Sequence, residues 1–299
     1  MHLLRALFVF LFFCSFSKVR AQDSLFTERM LNLKIYADSV TQSSAFDKIT
    51  YNDSLRVSLL EILKDTRSLT YNWEVLPLFK VLKGPKNQFV IYNWGFQVAP
   101  GVFQYFAISQ FVVDRKDGDI AVYEWVDIGS EMSYSLDQSY QANSWKGVIY
   151  YDLIEAPKGK SKNYLLLGWD GNGDRTKKKV IEVLRFDRKG VPTFGAPILK
   201  WYPEGQKNAK YQTKYRLQFE YAEKVNMTLR YDKDLKMIVF DHLSPTNEKL
   251  AGYRAAYVPD FSYDGLKYKK GKWYHFSNVD ARNNQGTKVK KYRPSDVGQ

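Results

Sequence analysis

The sequence predicts a mainly β protein: a large antiparallel sheet system (a sandwich, a barrel or a partial propeller-like stack) behind a short N-terminal helical segment. Three observations carry this. From about Leu78 onward apolar residues recur at every second position in short segments. Bends bearing Gly, Asn, Asp or Pro separate those segments, and connections that short favour antiparallel neighbours. Aromatic residues make up 16% of the chain, with 22 Tyr, and Tyr suits a pleated, half-buried surface.

In chain order, residues 1–21 read as a signal peptide. Arg5 precedes an apolar run from Leu7 to Phe16, and Val19 and Ala21 occupy the small-residue positions before a cut after Ala21. The run is about half the roughly 20 residues that a membrane-spanning helix needs. Phe12 and Phe13 before Cys14 disfavour a lipid-modification site. Export to the periplasm or the extracellular space is therefore expected, and not an integral membrane protein.

Residues 22–75 form the predicted helical segment. Phe26, Met30, Leu33, Ala37 and Val40 fall on one helical face, with Ser24 as cap. Ser43 and Ser44 interrupt the pattern. A second helix is predicted from Asp53 as cap through Leu55, Leu59, Ile62 and Leu63.

Residues 76–285 form the predicted β domain. Paired segments flank Gly84-Pro85-Lys86-Asn87, Asp114–Gly118, Ala156–Gly159, Asp170–Asp174 and Lys270-Gly271, each a hairpin or turn signal. Tyr215–Tyr221, Met227–Tyr231 and Met237–Asp241 continue the series. Tyr164-Leu165-Leu166-Leu167 is apolar on both faces, which places it centrally. No fixed-period repeat is present, which weighs against a regular propeller. Residues 286–299 form a basic tail.

Composition narrows the chemistry. Cys14 is the one cysteine, so beyond it no disulfide or thiolate site is available. Past residue 21 the histidines are His242 and His275, too few for a three-histidine zinc site. There is no Gly-x-Ser-x-Gly elbow, His-Glu-x-x-His pair, phosphate-binding glycine loop or dinucleotide fingerprint. The net charge of +13 points to acidic partners. For an exported chain these are acidic glycans or an envelope surface; a nucleic acid is not expected.

Trp169-Asp170-Gly171-Asn172-Gly173-Asp174 places oxygens of Asp170, Asn172 and Asp174 at alternate positions, as calcium loops do. Arg175 stands where a glycine belongs, and Lys177, Lys178 and Lys179 oppose a cation. A tight turn is the preferred reading, calcium the alternative, and no other cofactor is expected. His242 shares a face with Ile238 and Phe240, while His275, in a basic strand beside Trp273, is expected to be exposed. Asp152, on the Tyr150 and Ile154 face, is a carboxylate among apolar neighbours, so it must be paired or shifted in pKa. Asp152 and His242 are the candidate catalytic residues, and Asp260 and Asp264 read as turn formers. Lys267–Tyr274 interleaves aromatic and basic residues and supplies the candidate ligand-binding set Tyr268, Lys270, Lys272 and Trp273. Lys200-Trp201-Tyr202 and Trp145-Lys146 echo it.

The stretches Tyr164–Asn172, Lys179–Leu184, Phe194–Pro197, Leu229–Asp232, Met237–Leu243, Val258–Asp260 and Tyr263–Gly265 resemble exported proteins of Bacteroidota that have no assigned role. The resemblance covers roughly residues 78–280. It implies a bacterial envelope or secreted setting and brings no catalytic residues with it. The expected function is an exported envelope protein that binds or scaffolds, with an acidic glycan or surface as partner. The alternative is a carboxylate-dependent polysaccharide hydrolase, which requires Asp152 or Asp170 to meet a second acid in a cleft.

Overall fold

The computed structural model describes residues 23–114, 116–129, 135–156, 163–171, 173–203 and 210–281. The predicted signal peptide, the basic tail and Asn172 lie outside them. The chain divides into two compact units, Met1–Leu78 and Phe79–Gln299.

The first unit holds two helices. Helix α1 runs over 23–42 and buries Met30, Leu33, Ala37 and Val40, the predicted face. Helix α2, Ala45–Ile62, buries Asn52, Leu55, Leu59 and Ile62. It begins eight residues before the predicted Asp53 start. Ser44 is its N-cap, with Oγ accepting from the Asp47 amide. Its first two turns escape a periodicity search because Phe46, Ile49 and Tyr51 all face solvent.

The second unit is mainly β, and the antiparallel prediction holds. The front sheet has the order β1 (Lys80–Lys83), β2 (Phe89–Ala99), β3 (Val102–Asp114) and β4 (Asp119–Trp125), a plain meander. The middle sheet has the order β5 (Tyr140–Gln141), β9 (Pro192–Phe194), β8 (Thr176–Phe186), β7 (Asn163–Asp170) and β6 (Ile149–Glu155). Strand β12 (Arg216–Ala222) pairs with β8. The rear sheet has the order β11 (Gln212–Lys214), β10 (Leu199–Trp201), β16 (Lys272–Phe276), β15 (Tyr257–Lys269), β14 (Met237–Pro245) and β13 (Leu229–Asp232). Its β10–β16 pair is parallel, the exception among the described strand pairs. Among the described residues no sheet closes into a barrel.

Alternation along β7 organises the three layers. Tyr164 and Leu166 share a core with Phe89, Ile91, Ala107 and Phe111 of the front sheet. Leu165 and Leu167 share another with Ile238, Phe240, Leu266 and Trp273 of the rear sheet. A strand covered on both faces needs an unbroken apolar run, which is what Tyr164–Leu167 supplies. Each face supplies burial worth about 25 cal/mol per Å² of apolar surface removed from water.

The Lys270-Gly271 hairpin forms as predicted. Lys269 pairs with Lys272, and both loop residues have positive φ, 49° and 82°, as a two-residue type I′ turn requires. The register puts Trp273 inward, fully buried in the core. It therefore offers no face to a ligand, which corrects the reading of the Lys267–Tyr274 hairpin as an aromatic binding surface. Tyr268 packs edge-on against it at 5.3 Å. Lys270 stays exposed at the tip, with Lys272 partly so.

Candidate functional site

Strand β12 is an edge of the middle sheet. Its partner is β8, and Leu217, Phe219 and Tyr221 face the rear sheet while Arg216, Gln218 and Glu220 face the other way. A cleft of ≈ 700 Å³ runs along this edge, between β12 and the end of the rear sheet. Its floor is aromatic. Phe219 lies 4.6 Å from Phe240, and Trp201 lies 5.9 Å from Phe219 and 6.2 Å from Phe240.

A bulge in the rear sheet brings the polar groups to this floor. The β14–β15 register passes from Asp241↔Tyr263 to Leu243↔Pro259, so His242 alone opposes Asp260, Phe261 and Ser262. Such an insertion bends the strand and re-aims its side chains. Phe261 absorbs the kink at φ 70° and stands 91% exposed. Asp260 closes the bend by accepting from the Ser262 amide and hydroxyl and from Ser244 Oγ.

His242 Nδ1 lies 2.9 Å from Asp264 Oδ2. The same oxygen lies 3.4 Å from His275 Nε2. Asp264 and His275 are buried, and the His275 ring stacks on Trp201 at 3.9 Å. Burial pushes Asp264 up, but hydrogen bonding and charge from the two imidazoles outweigh it, and its carboxyl is lowered to about 2. Asp264 is thus an ionised acceptor facing the Nδ1 of His242. The Nε2 of His242 lies 3.9 Å from Asp260 Oδ2, whose carboxyl is also held below its ordinary value: burial opposes the lowering, and bonds from Ser262 and Ser244 with the His242 charge outweigh it.

Basic groups line the rest of the cleft: Lys146, Lys178, Lys214, Arg216 and Arg254. Arg254 lies over the Tyr257 ring at 4.6 Å. Behind β12 a cross-strand row runs Asp170, Lys178, Glu220 by register. Thr176 Oγ1 donates to Glu220 at 2.6 Å, and Tyr105 donates to Asp170 at 3.1 Å. Burial lowers Lys146, with the neighbouring Lys178 charge adding to it, and burial raises Asp127. Arg216 Nε donates to Glu182 at 2.9 Å inside the layer, so Arg216 is chiefly structural.

Of the residues singled out in the sequence, His242 reaches the cleft. Asp152 does not: it accepts from the Leu153 amide and is absent from the cleft lining. A bulge between Tyr150 and Asp152 puts those two on opposite faces, where plain alternation had them together. Asp170 is buried against Tyr105 and Lys178, so its oxygens are engaged, and Asp174 is exposed. Among the described residues no three acidic or histidine side chains gather to hold a metal ion. His275 is buried rather than exposed, and Asp264 is a strand residue rather than a turn former. The hairpin register carried a usable signal: Leu266 pairs with His275, so extending that strand back by two residues sets Asp264 diagonal to His275 on one face.

No protein-family model matches the chain, and neither a curated protein nor a solved structure does.

Proposed function

We propose that the protein is an exported envelope protein that binds an acidic glycan segment in the cleft between β12 and the rear sheet. The observation that carries this reading is an aromatic floor of Trp201 and Phe219 meeting a basic rim of Lys146, Lys214 and Arg254 in one cavity. Sugar rings stack on aromatic faces, and carboxylates or sulfates pair with Lys and Arg. The volume of ≈ 700 Å³ lies within the usual range for small-ligand sites. The net charge of +13 favours an acidic partner, and the apolar run Leu7–Phe16 supports export.

A two-carboxylate hydrolase is the poorer fit. Asp264, lowered to about 2, has no proton to give at neutral pH, and Asp152 lies away from the cleft lining. Titration calorimetry with uronate and neutral oligosaccharides tests the proposal. Uronates should bind, weaken as salt rises, and lose about tenfold or more with Trp201→Ala or Arg254→Ala. Equal binding of neutral glycans, or no salt dependence, overturns it.

A further inference from the structure

The rear sheet has a second side. Leu266, Tyr268 and Trp273 point into the core, so strand alternation turns Lys267, Lys269, Lys272 and Tyr274 outward. We propose that this outward face is a docking surface for an anionic lipid bilayer, held by lysine contacts to headgroup phosphates. The inference is independent of the glycan-binding reading, because Trp201 and Phe240 of the cleft lie on the sheet's inner side.

The register gathers the charge across strands. Lys269 stands directly opposite Lys272. Lys267 stands opposite Tyr274, which pairs on its other side with Lys200 of β10. Lys270 adds a charge at the hairpin tip. Lys269 and Lys270 are exposed, and Lys200, Lys267 and Lys272 are partly so. Among the described residues none of these five lysines forms an ion pair with a carboxylate. Lys200 Nζ donates to Thr213 Oγ1 on the same face. Like charges directly opposite each other destabilise a sheet. The Lys269–Lys272 pair is therefore unfavourable in the isolated fold and becomes favourable beside an anionic partner.

The chemistry selects the occupant. All five cations are lysines, point charges that suit phosphates, and not the planar fork that pairs bidentately with carboxylates. They spread in two dimensions over three strands about 5 Å apart. The charges of a bilayer are spread in the same way, whereas a single glycan chain follows a line. Tyr211, 43% exposed with its ring 5.4 Å from Tyr274, supplies an amphipathic aromatic of the kind found at headgroup depth.

Co-sedimentation of the full chain with vesicles of phosphatidylglycerol in phosphatidylcholine, against phosphatidylcholine alone, tests this. The chain should sediment with the anionic vesicles only, and salt should release it. Lys269→Glu with Lys272→Glu should weaken partitioning by at least about 25-fold, roughly fivefold for each lysine lost. Lys116→Glu with Lys189→Glu, exposed turn residues elsewhere, makes the same change in net charge and should leave partitioning nearly unchanged. Lys272→Gln, which relieves the like-charge pair, should weaken partitioning while keeping or raising the thermal midpoint. Failure to sediment with anionic vesicles overturns the proposal. An equal loss in the two double variants overturns it in favour of net charge alone. Full partitioning of the Lys269→Glu, Lys272→Glu variant overturns it in favour of cations elsewhere, the basic tail included. Loss of polygalacturonate binding in that variant with vesicle binding kept assigns the face to a glycan and overturns it as well.

Discussion

Arg216 and Glu182 form an ion pair inside the layered β unit, Nε to Oε2 at 2.9 Å, with both side chains out of water. Glu182 also accepts from the Val183 amide, and Arg216 donates to the carbonyls of Ser135 and Gln138. Removing one partner strands a buried charge. Glu182→Ala should therefore cost about 3–5 kcal/mol in denaturant unfolding. Replacing both with leucine should recover part of that loss, held back by the two carbonyls left without their donor. A single variant as stable as the wild type would show the pair to be solvated.

Asp264 sets an acid limit. Its carboxyl sits at about 2 folded and at about 3.9 unfolded, so the pairing stabilises the fold fully above the higher value. The contribution, about 2–3 kcal/mol, drains away as pH falls from about 4 through 2. Urea melts of wild type and Asp264→Asn should differ at pH 6 and converge near pH 2. A constant gap across that range would assign the effect to packing alone.

The β15–β16 hairpin separates core from surface within a few residues. Trp273→Ala should cost about 3–5 kcal/mol, since its indole fills the core between the middle and rear sheets. Lys270→Ala and Lys272→Ala should stay within about 0.5 kcal/mol and leave uronate binding unchanged. Loss of binding in either lysine variant would return the ligand site to this hairpin.

Phe261 holds a left-handed conformation at φ 70° with its ring in solvent. A side chain there costs on the order of 1–3 kcal/mol, against roughly 0.5–1 kcal/mol of added chain entropy for glycine. Phe261→Gly should keep or raise the thermal midpoint. A marked fall would mean that the ring is packed against something.

The layers were more legible than the site. Continuous apolarity at Tyr164–Leu167 identifies a strand buried on both faces, and two positive-φ residues at Lys270-Gly271 fix a hairpin and its register. The short strands β5, β9, β10 and β11 were not, because two or three residues carry no measurable period. Val258–Gly265 misled for a physical reason. Pro, Asp, Ser and Gly are turn formers, yet here they sit in a thirteen-residue strand whose bulge absorbs the irregularity. That bulge is also what gathers His242, Asp260 and Asp264. Their meeting depends on pairing between strands about 20 residues apart in the chain, which local pattern does not encode.

Strand β12 works as a divider with different chemistry on each side. Were it to slide along β8 by a single residue, Phe219 would turn toward the Asp170–Lys178 row and Glu220 toward the aromatic floor. Both exchanges are so unfavourable that the strand is locked in place, although one long side has no sheet partner among the described strands. The wall of the cleft is thereby a fixed ruler, against which a bound chain finds side chains at invariant spacing.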